Sequence, residues 1–296
     1  MPSTREIRRR IRSTKNMAQI TKAMQMVASS KMRRAQERVQ QSRPYADHLR
    51  ELVSHLANAQ GGEIEGGDIA LLQQRPVRNV AFLVISPDRG LSGALSSNIN
   101  RRAATAALEQ QNELTERGQK PNIQYVAVGR KGRDFIVRTQ QLLVAEFTNL
   151  GDRPSINDAS TIAQVAMDIF LKEEADVVYM VYPKFVNTVT QQPTVVQLLP
   201  VEQPKQEEGE RTKIDYIYEP GPTEIYQALL PRYVDTLIYQ ALLETVASQL
   251  SAQMVAMKNA TDNANELVQD LTLVYNKARQ SAITTQILEV VSGAEA

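Results

Sequence analysis

The sequence predicts an α/β protein: a long antiparallel coiled coil of N- and C-terminal helices around a central domain of mostly parallel sheet. Two observations carry this. Of thirteen glycines, twelve lie between Gly61 and Gly221, and the last is Gly293. Proline is absent between Pro2 and Pro44 and again after Pro231. These are the main helix breakers, so the chain reads as helical arm, breaker-rich middle, helical arm. The divisions are 1–60, 61–221 and 222–296.

The first arm starts at Ser3, an N-cap with Glu6 in the third position of a capping box. It runs to Arg43, where Pro44 offers a bend before Tyr45–Asn58 continues. The second arm runs from Arg232 to Val291. At 1.5 Å per residue these arms span roughly 85 Å and 90 Å, far beyond a common globular helix. A helix this long needs a partner along one stripe. A 3-4 ladder supplies it: Ile7, Ile11, Thr14, Ala18, Thr21, Gln25, Ala28, Met32, Ala35, Val39. The second arm has Leu243, Ala247, Leu250, Met254, Met257, Thr261, Ala264, Val268, Leu271, Tyr275, Ala278, Ala282. Both are rich in Ala and Thr, which permit close approach. A domain between the arms brings the second back antiparallel to the first. Beside the ladders runs a second apolar stripe (Met17, Ile20, Met24, Val27; Leu267, Val274, Leu288), which invites a sleeve outside the pair.

In the middle, Asn79–Ser86, Ile123–Val128 and Asp176–Tyr182 are near-continuous apolar runs that suit strands covered on both faces. Helices are predicted at Ser97–Arg117 and at Ile156–Glu173, with Ser155 and Asp158 as its capping box. The alternation predicts a Rossmann-like sheet. Phe185–Gln191, Thr194–Leu199 and Lys213–Tyr218 are expected to add antiparallel strands, and Pro200–Glu210 an exposed loop.

Composition narrows function. The 296 residues contain no cysteine and two histidines, His48 and His55, which excludes thiol chemistry and a histidine-rich metal centre. No apolar run is long enough to cross a membrane as a helix. The basic first residues lead into no apolar stretch, an argument against a secretory signal. Residues 1–50 carry thirteen Lys/Arg against three acids, 13 − 3 = +10, in a chain of net charge +1. Such a segment faces something acidic. Nucleic acid is one alternative, but aromatic platforms and a recognition layout are lacking. Asp88–Gly93 is no dinucleotide loop and no phosphate-loop lysine pattern occurs. Gly129-Arg-Lys-Gly132 reads as a surface turn. No nucleophile, base and metal ligand converge at the strand ends, so neither catalysis nor a cofactor is expected.

Three blocks complete the reading: Ile20-Thr-Lys-Ala-Met-Gln-Met-Val-Ala-Ser-Ser-Lys-Met-Arg-Arg-Ala-Gln36, Ser86-Pro-Asp-Arg-Gly-Leu-Ser-Gly-Ala-Leu-Ser-Ser-Asn98, and Met254 through Met257–Ala264 and Leu271–Gln280 to Ile283-Thr284 and Gly293-Ala294. With them the whole chain resembles the gamma subunits of F-type ATP synthases. The resemblance implies a non-catalytic rotor shaft, the central stalk. Its helices rise through the alpha/beta hexamer, and its α/β domain meets the epsilon subunit and the c-ring. Proton or sodium flow turns the ring, and membrane association is indirect, through that ring. By the same resemblance Lys22, Met24, Lys31, Arg33, Arg34, Arg279, Gln280 and Thr284 contact the hexamer, and Tyr216, Tyr218 and Glu219 lie at the foot. Asp88 and Arg89 are expected to organise their turn. The family pattern is departed from at Ser92, Gln253 and Gln286. With no transit segment or cysteine insertion, a bacterial subunit on the cytoplasmic side of the inner membrane is expected.

Overall fold

The structure, a computed structural model, describes residues 3–59, 70–120, 122–201 and 221–294. In chain order it comprises helix α1 (Thr4–Ala59), a short 3-10 turn (Ala70–Leu72), β1 (Asn79–Ile85), α2 (Leu95–Glu116), β2 (Asn122–Val128) and α3 (Arg130–Arg138). There follow β3 (Leu142–Phe147), α4 (Ile156–Leu171), β4 (Val177–Phe185), β5 (Gln191–Leu199) and α5 (Pro222–Ala294). The chain divides into two compact units, Met1–Ser30 with Gln253–Ala296, and Lys31–Ala252.

Both arms are single helices, α1 of 56 residues and α5 of 73. Pro44 and Pro231 lie inside them. Each proline forfeits a backbone hydrogen bond and crowds the carbonyl four residues before it, a cost of about 3 kcal/mol in a helix interior, yet both helices continue through them. The second arm therefore begins ten residues before the expected Arg232.

In the first unit the ladder governs burial. Ile7, Ala18, Thr21 and Ala28 of α1 are buried, as are Met257, Thr261 and Ala264 of α5. Ile11, Thr14, Gln25, Val268, Leu271, Tyr275 and Ala278 are half-buried, whereas Ala282 is exposed. The seam thus ends one step before the reading of the sequence places it.

In the second unit β1–β4 are parallel, β5 is antiparallel to β4, and the order is β3-β2-β1-β4-β5. Alternation along β1 builds two cores. Ala81, Leu83 and Ile85 face α4, the start of α5 and the end of α1, where Leu49, Val53, Ile162, Phe170, Tyr226 and Leu242 are buried. Val80, Phe82 and Val84 face α2 and α3 through Ile99, Ala103, Ala107 and Ile136. Phe82 stacks between Tyr125 and Tyr179, at 5.8 and 5.5 Å. The Ser155/Asp158 capping box forms in full at the start of α4.

Three sequence expectations shift. The segment 130–147 holds a nine-residue helix and an edge strand that the apolar runs do not announce. β3 alternates exposed and half-buried positions, with Leu142 and Val144 outward, so it lacks the continuous run of a central strand. Phe185–Gln191 is not a strand of its own. Phe185 ends β4, and Asn187 turns the chain by accepting the N–H groups of Val189 and Thr190 through Oδ1. β5 opens at Gln191 and absorbs Thr194–Leu199. Lys213–Tyr218 and most of Pro200–Glu210 lie outside the described residues.

Candidate functional site: the helix faces and their anchor on the sheet

Two faces of the first unit differ in chemistry. Inward, the hydroxyls of Thr21 and Thr261 lie 2.7 Å apart, and Thr261 also donates to the carbonyl of Met257 at 2.8 Å. The other buried seam residues of this unit, Ile7, Ala18, Ala28, Met257 and Ala264, are apolar. Outward, Met17, Ile20 and Val27 on α1, with Leu267, Val274 and Leu288 on α5, stand roughly half or more exposed. Farther along α5, Leu273, Ile283, Ile287 and Val290 are exposed as well. An apolar stripe of this extent marks a surface that meets another protein.

The resemblance-derived contact residues fall in both units. Lys22 is exposed, its ammonium 3.4 Å from the Gln25 amide oxygen, and Met24 is half-buried beside it. Arg279, Gln280 and Thr284 are exposed along α5. Thr284 donates its hydroxyl to the Gln280 carbonyl at 3.0 Å, leaving its oxygen as an acceptor. In the second unit Arg33 and Arg34 are exposed. Lys31 is engaged within the chain: its ammonium lies 2.6 Å from Asp152 in the β3–α4 loop. Tyr216, Tyr218 and Glu219 lie outside the described residues.

At the ends of β1 and β2 the segment Gly129-Arg-Lys-Gly132 is not a surface turn: it caps and opens α3, with Gly132 buried. Gly129 adopts a positive φ of 92°, and a Cβ there would run into the Ser86 carbonyl. Only glycine permits that approach. The N–H of Arg130 then donates to Asp88 Oδ1 at 3.0 Å, that of Lys131 to the Pro87 carbonyl at 3.2 Å, and that of Gly132 to Ser86 Oγ at 2.7 Å. The leading amides of α3 are spent on the fold. Asp88 organises the turn as expected. Among the described residues no group of His, Asp and Glu could hold a metal ion.

The structure also reveals an anchor that the sequence reading does not contain. Glu244 of α5 is buried at 3% exposure, and Ser248, one turn on, is fully buried. Glu244 Oε2 accepts the Phe185 N–H at 3.0 Å, and Ser248 Oγ donates to the Pro183 carbonyl at 3.0 Å. Phe185 is itself buried among Ala35 and Val39 of α1 and Leu243, Ala247 and Leu250 of α5. Burial pushes the Glu244 carboxyl above its ordinary value, opposed by the Phe185 N–H, Arg43, Lys184 and Gln240. Tyr182, mainly through burial and secondarily through Glu244, is pushed up to about 12. One signal was legible: Glu244 is the single charged residue between Asp235 and Lys258, and an isolated charge on a buried helix needs a partner.

Known proteins match this chain over its whole length. A family profile described as ATP synthase matches residues 3–296. The ATP synthase gamma chain of Roseiflexus castenholzii is 52% identical over 100% of this chain and 99% of its own length. That of Chloroflexus aurantiacus is 49% identical with the same coverage. Among solved structures, the central stalk and c-ring of the Tetrahymena thermophila mitochondrial ATP synthase matches at a TM-score of 0.61 and 24% identity, covering 81% of this chain and 99% of that one. The Euglena gracilis mitochondrial enzyme matches at 0.66 and 16%, covering 99% and 93%; both show likeness of fold. On the full-length match to its relatives, the chain belongs to the ATP synthase gamma-chain family.

Proposed function

We propose a division of labour over the surface of this gamma chain. The outward apolar stripe is a bearing inside the alpha/beta hexamer, and the flanking polar groups are its catches. As a gamma chain the protein is the non-catalytic central rotor shaft that couples rotation to catalysis in that hexamer. It works with the hexamer, the c-ring and the other central-stalk components. Among the described residues no helix is long and apolar enough to cross a membrane, which fits peripheral attachment through the ring. The bacterial relatives support the cytoplasmic side of the plasma membrane.

The carrying observation is the double apolar patterning of the first unit. One stripe is consumed in the seam; the other, from Met17 to Val27 and from Leu267 to Leu288, is left outward. Apolar contact is non-directional, so such a face can turn against an apolar sleeve without breaking hydrogen bonds at every angle. Directional groups then set preferred angles. Arg279 offers a planar fork for a carboxylate, with Gln280 and Thr284 beside it. Lys22, Arg33 and Arg34 offer charges complementary to acidic loops, with Met24 packing beside Lys22. Lys31 serves this electrostatic field while its ammonium is tied to Asp152. The parts follow the sequence divisions: shaft helices 1–60 and 222–296, and a sheet domain 61–221 that takes the drive from the ring. Tyr216, Tyr218 and Glu219 belong to its foot, towards the ring and epsilon.

The test is a tagged copy of the chain expressed in place of the native gamma chain. Alpha, beta and epsilon subunits should copurify, and a bead fixed to the sheet domain should turn when ATP is supplied. A complex that hydrolyses ATP while the bead stays still would overturn the assignment.

A further inference from the structure

Within the second unit, β4 outlasts its neighbour. The β1–β4 ladder ends at Val84 and Val181, whereas β4 continues to Phe185. On its other edge β4 stays paired with β5 as far as Phe185 and Gln191. The backbone of Pro183 and Phe185 on the β1 side therefore has no strand to meet, in a place too buried for water. Buried main-chain groups must find partners. Helix α5 supplies two, one turn apart: Glu244 takes the Phe185 N–H and Ser248 gives its hydroxyl to the Pro183 carbonyl. The Phe185 ring is set into the groove between α1 and α5.

We propose that Glu244, with Ser248, is a positioning residue for torque transfer, keying the stretch of α5 inside the second unit to the end of β4 so that this stretch of helix and the sheet turn together. The inference rests on the reading that the sheet domain receives the drive. Elsewhere in this region α5 meets the sheet through Leu242, Ile238 and Val234, contacts that resist separation but have little direction. A hydrogen bond has a preferred angle and length, and two at i and i+4 oppose both sliding along the helix axis and rotation about it. Gln240, 3.5 Å from Glu244 Oε1, braces the carboxylate from the preceding turn.

The experiment uses the assembled ATP synthase in sealed vesicles, with ATP hydrolysis and ATP-driven ion pumping measured on the same preparation. Glu244→Ala should lower the pumped-to-hydrolysed ratio about twofold or more, while Glu244→Gln, whose amide oxygen still accepts the Phe185 N–H, should restore it. Ser248→Ala removes one small group and serves where Glu244→Ala fails to assemble; it too should lower the ratio. A merely structural role would reduce the yield of complex and leave the ratio per complex unchanged. That result with both Glu244→Ala and Ser248→Ala, or with Ser248→Ala where the former yields no complex, overturns the proposal. A bead on the sheet domain of the wild-type complex separates the two readings: if it fails to turn during hydrolysis, the drive assignment has failed rather than the key.

Discussion

Thr21 of α1 and Thr261 of α5 share a buried hydrogen bond of 2.7 Å across the seam, whose other buried residues in this unit, Ile7, Ala18, Ala28, Met257 and Ala264, are apolar. Its partners fix the register of the pair. A shift by one residue along either helix would bring a hydroxyl against carbon. Thr21→Val keeps the shape and removes the bond, while Thr261 keeps its carbonyl partner at Met257. The expected loss is about 1 kcal/mol. Thr21→Val with Thr261→Val together should cost less than the sum of the two singles, as a double-mutant cycle in urea unfolding would read.

Arg279 is exposed, so Arg279→Ala should alter unfolding by less than about 0.5 kcal/mol. Coupled turnover should fall all the same, because the fork proposed to hold an acidic catch is gone. Unchanged ATP synthesis and ATP-driven pumping would remove Arg279 from the contact set.

For Lys31 the two roles predict different partners. If its ammonium acts through Asp152, then Asp152→Ala and Lys31→Ala should give the same phenotype. The double variant should be no worse than either. The pair is partly exposed, at 40% and 26%, so its contribution to stability is at most about 1 kcal/mol. A Lys31→Ala defect in coupling that Asp152→Ala does not reproduce assigns the lysine to the hexamer.

Glu244 gives the stability of the chain a pH signature. Burial raises its carboxyl above the ordinary 4.5 in the folded state, so the folded form holds its proton more tightly than the unfolded form. Stability from this group is full below the ordinary value and is lost as pH rises through the raised one. The neutral Glu244→Gln lacks that loss. Its melting temperature relative to wild type should therefore climb from about pH 4 upward and then level off. A difference independent of pH would show that the carboxyl titrates alike in both states.

Truncation after Tyr275 removes a stretch of α5 whose described side chains, apart from half-buried Ala278, are exposed. The sheet and its two cores contain none of them. Native-like unfolding of the sheet domain should survive, while torque or assembly weakens. Full torque and assembly without residues 276–296 would make the end of α5 dispensable.

Much of this protein was legible from local pattern. Breaker-free arms, the 3-4 ladders, the apolar strands and the Ser155 cap are properties of short windows, because helix and strand periodicity are set by neighbours three, four or two residues away. The contact candidates came from resemblance, and six of them, Lys22, Arg33, Arg34, Arg279, Gln280 and Thr284, stand on exposed positions, where composition constrains little. What the linear chain could not disclose depends on partners far apart in it. β3 needed the edge of β2 to become a strand. Lys31 found Asp152, 121 positions away. Glu244 is explained only once β4 has outrun β1 and left the Phe185 N–H without a strand. The sequence by itself determined two long paired helices and an α/β middle, since periodicity and breakers are local. Only the tertiary structure decided where helix and sheet are locked together, since a buried hydrogen bond exists only when both of its ends have been brought to one place.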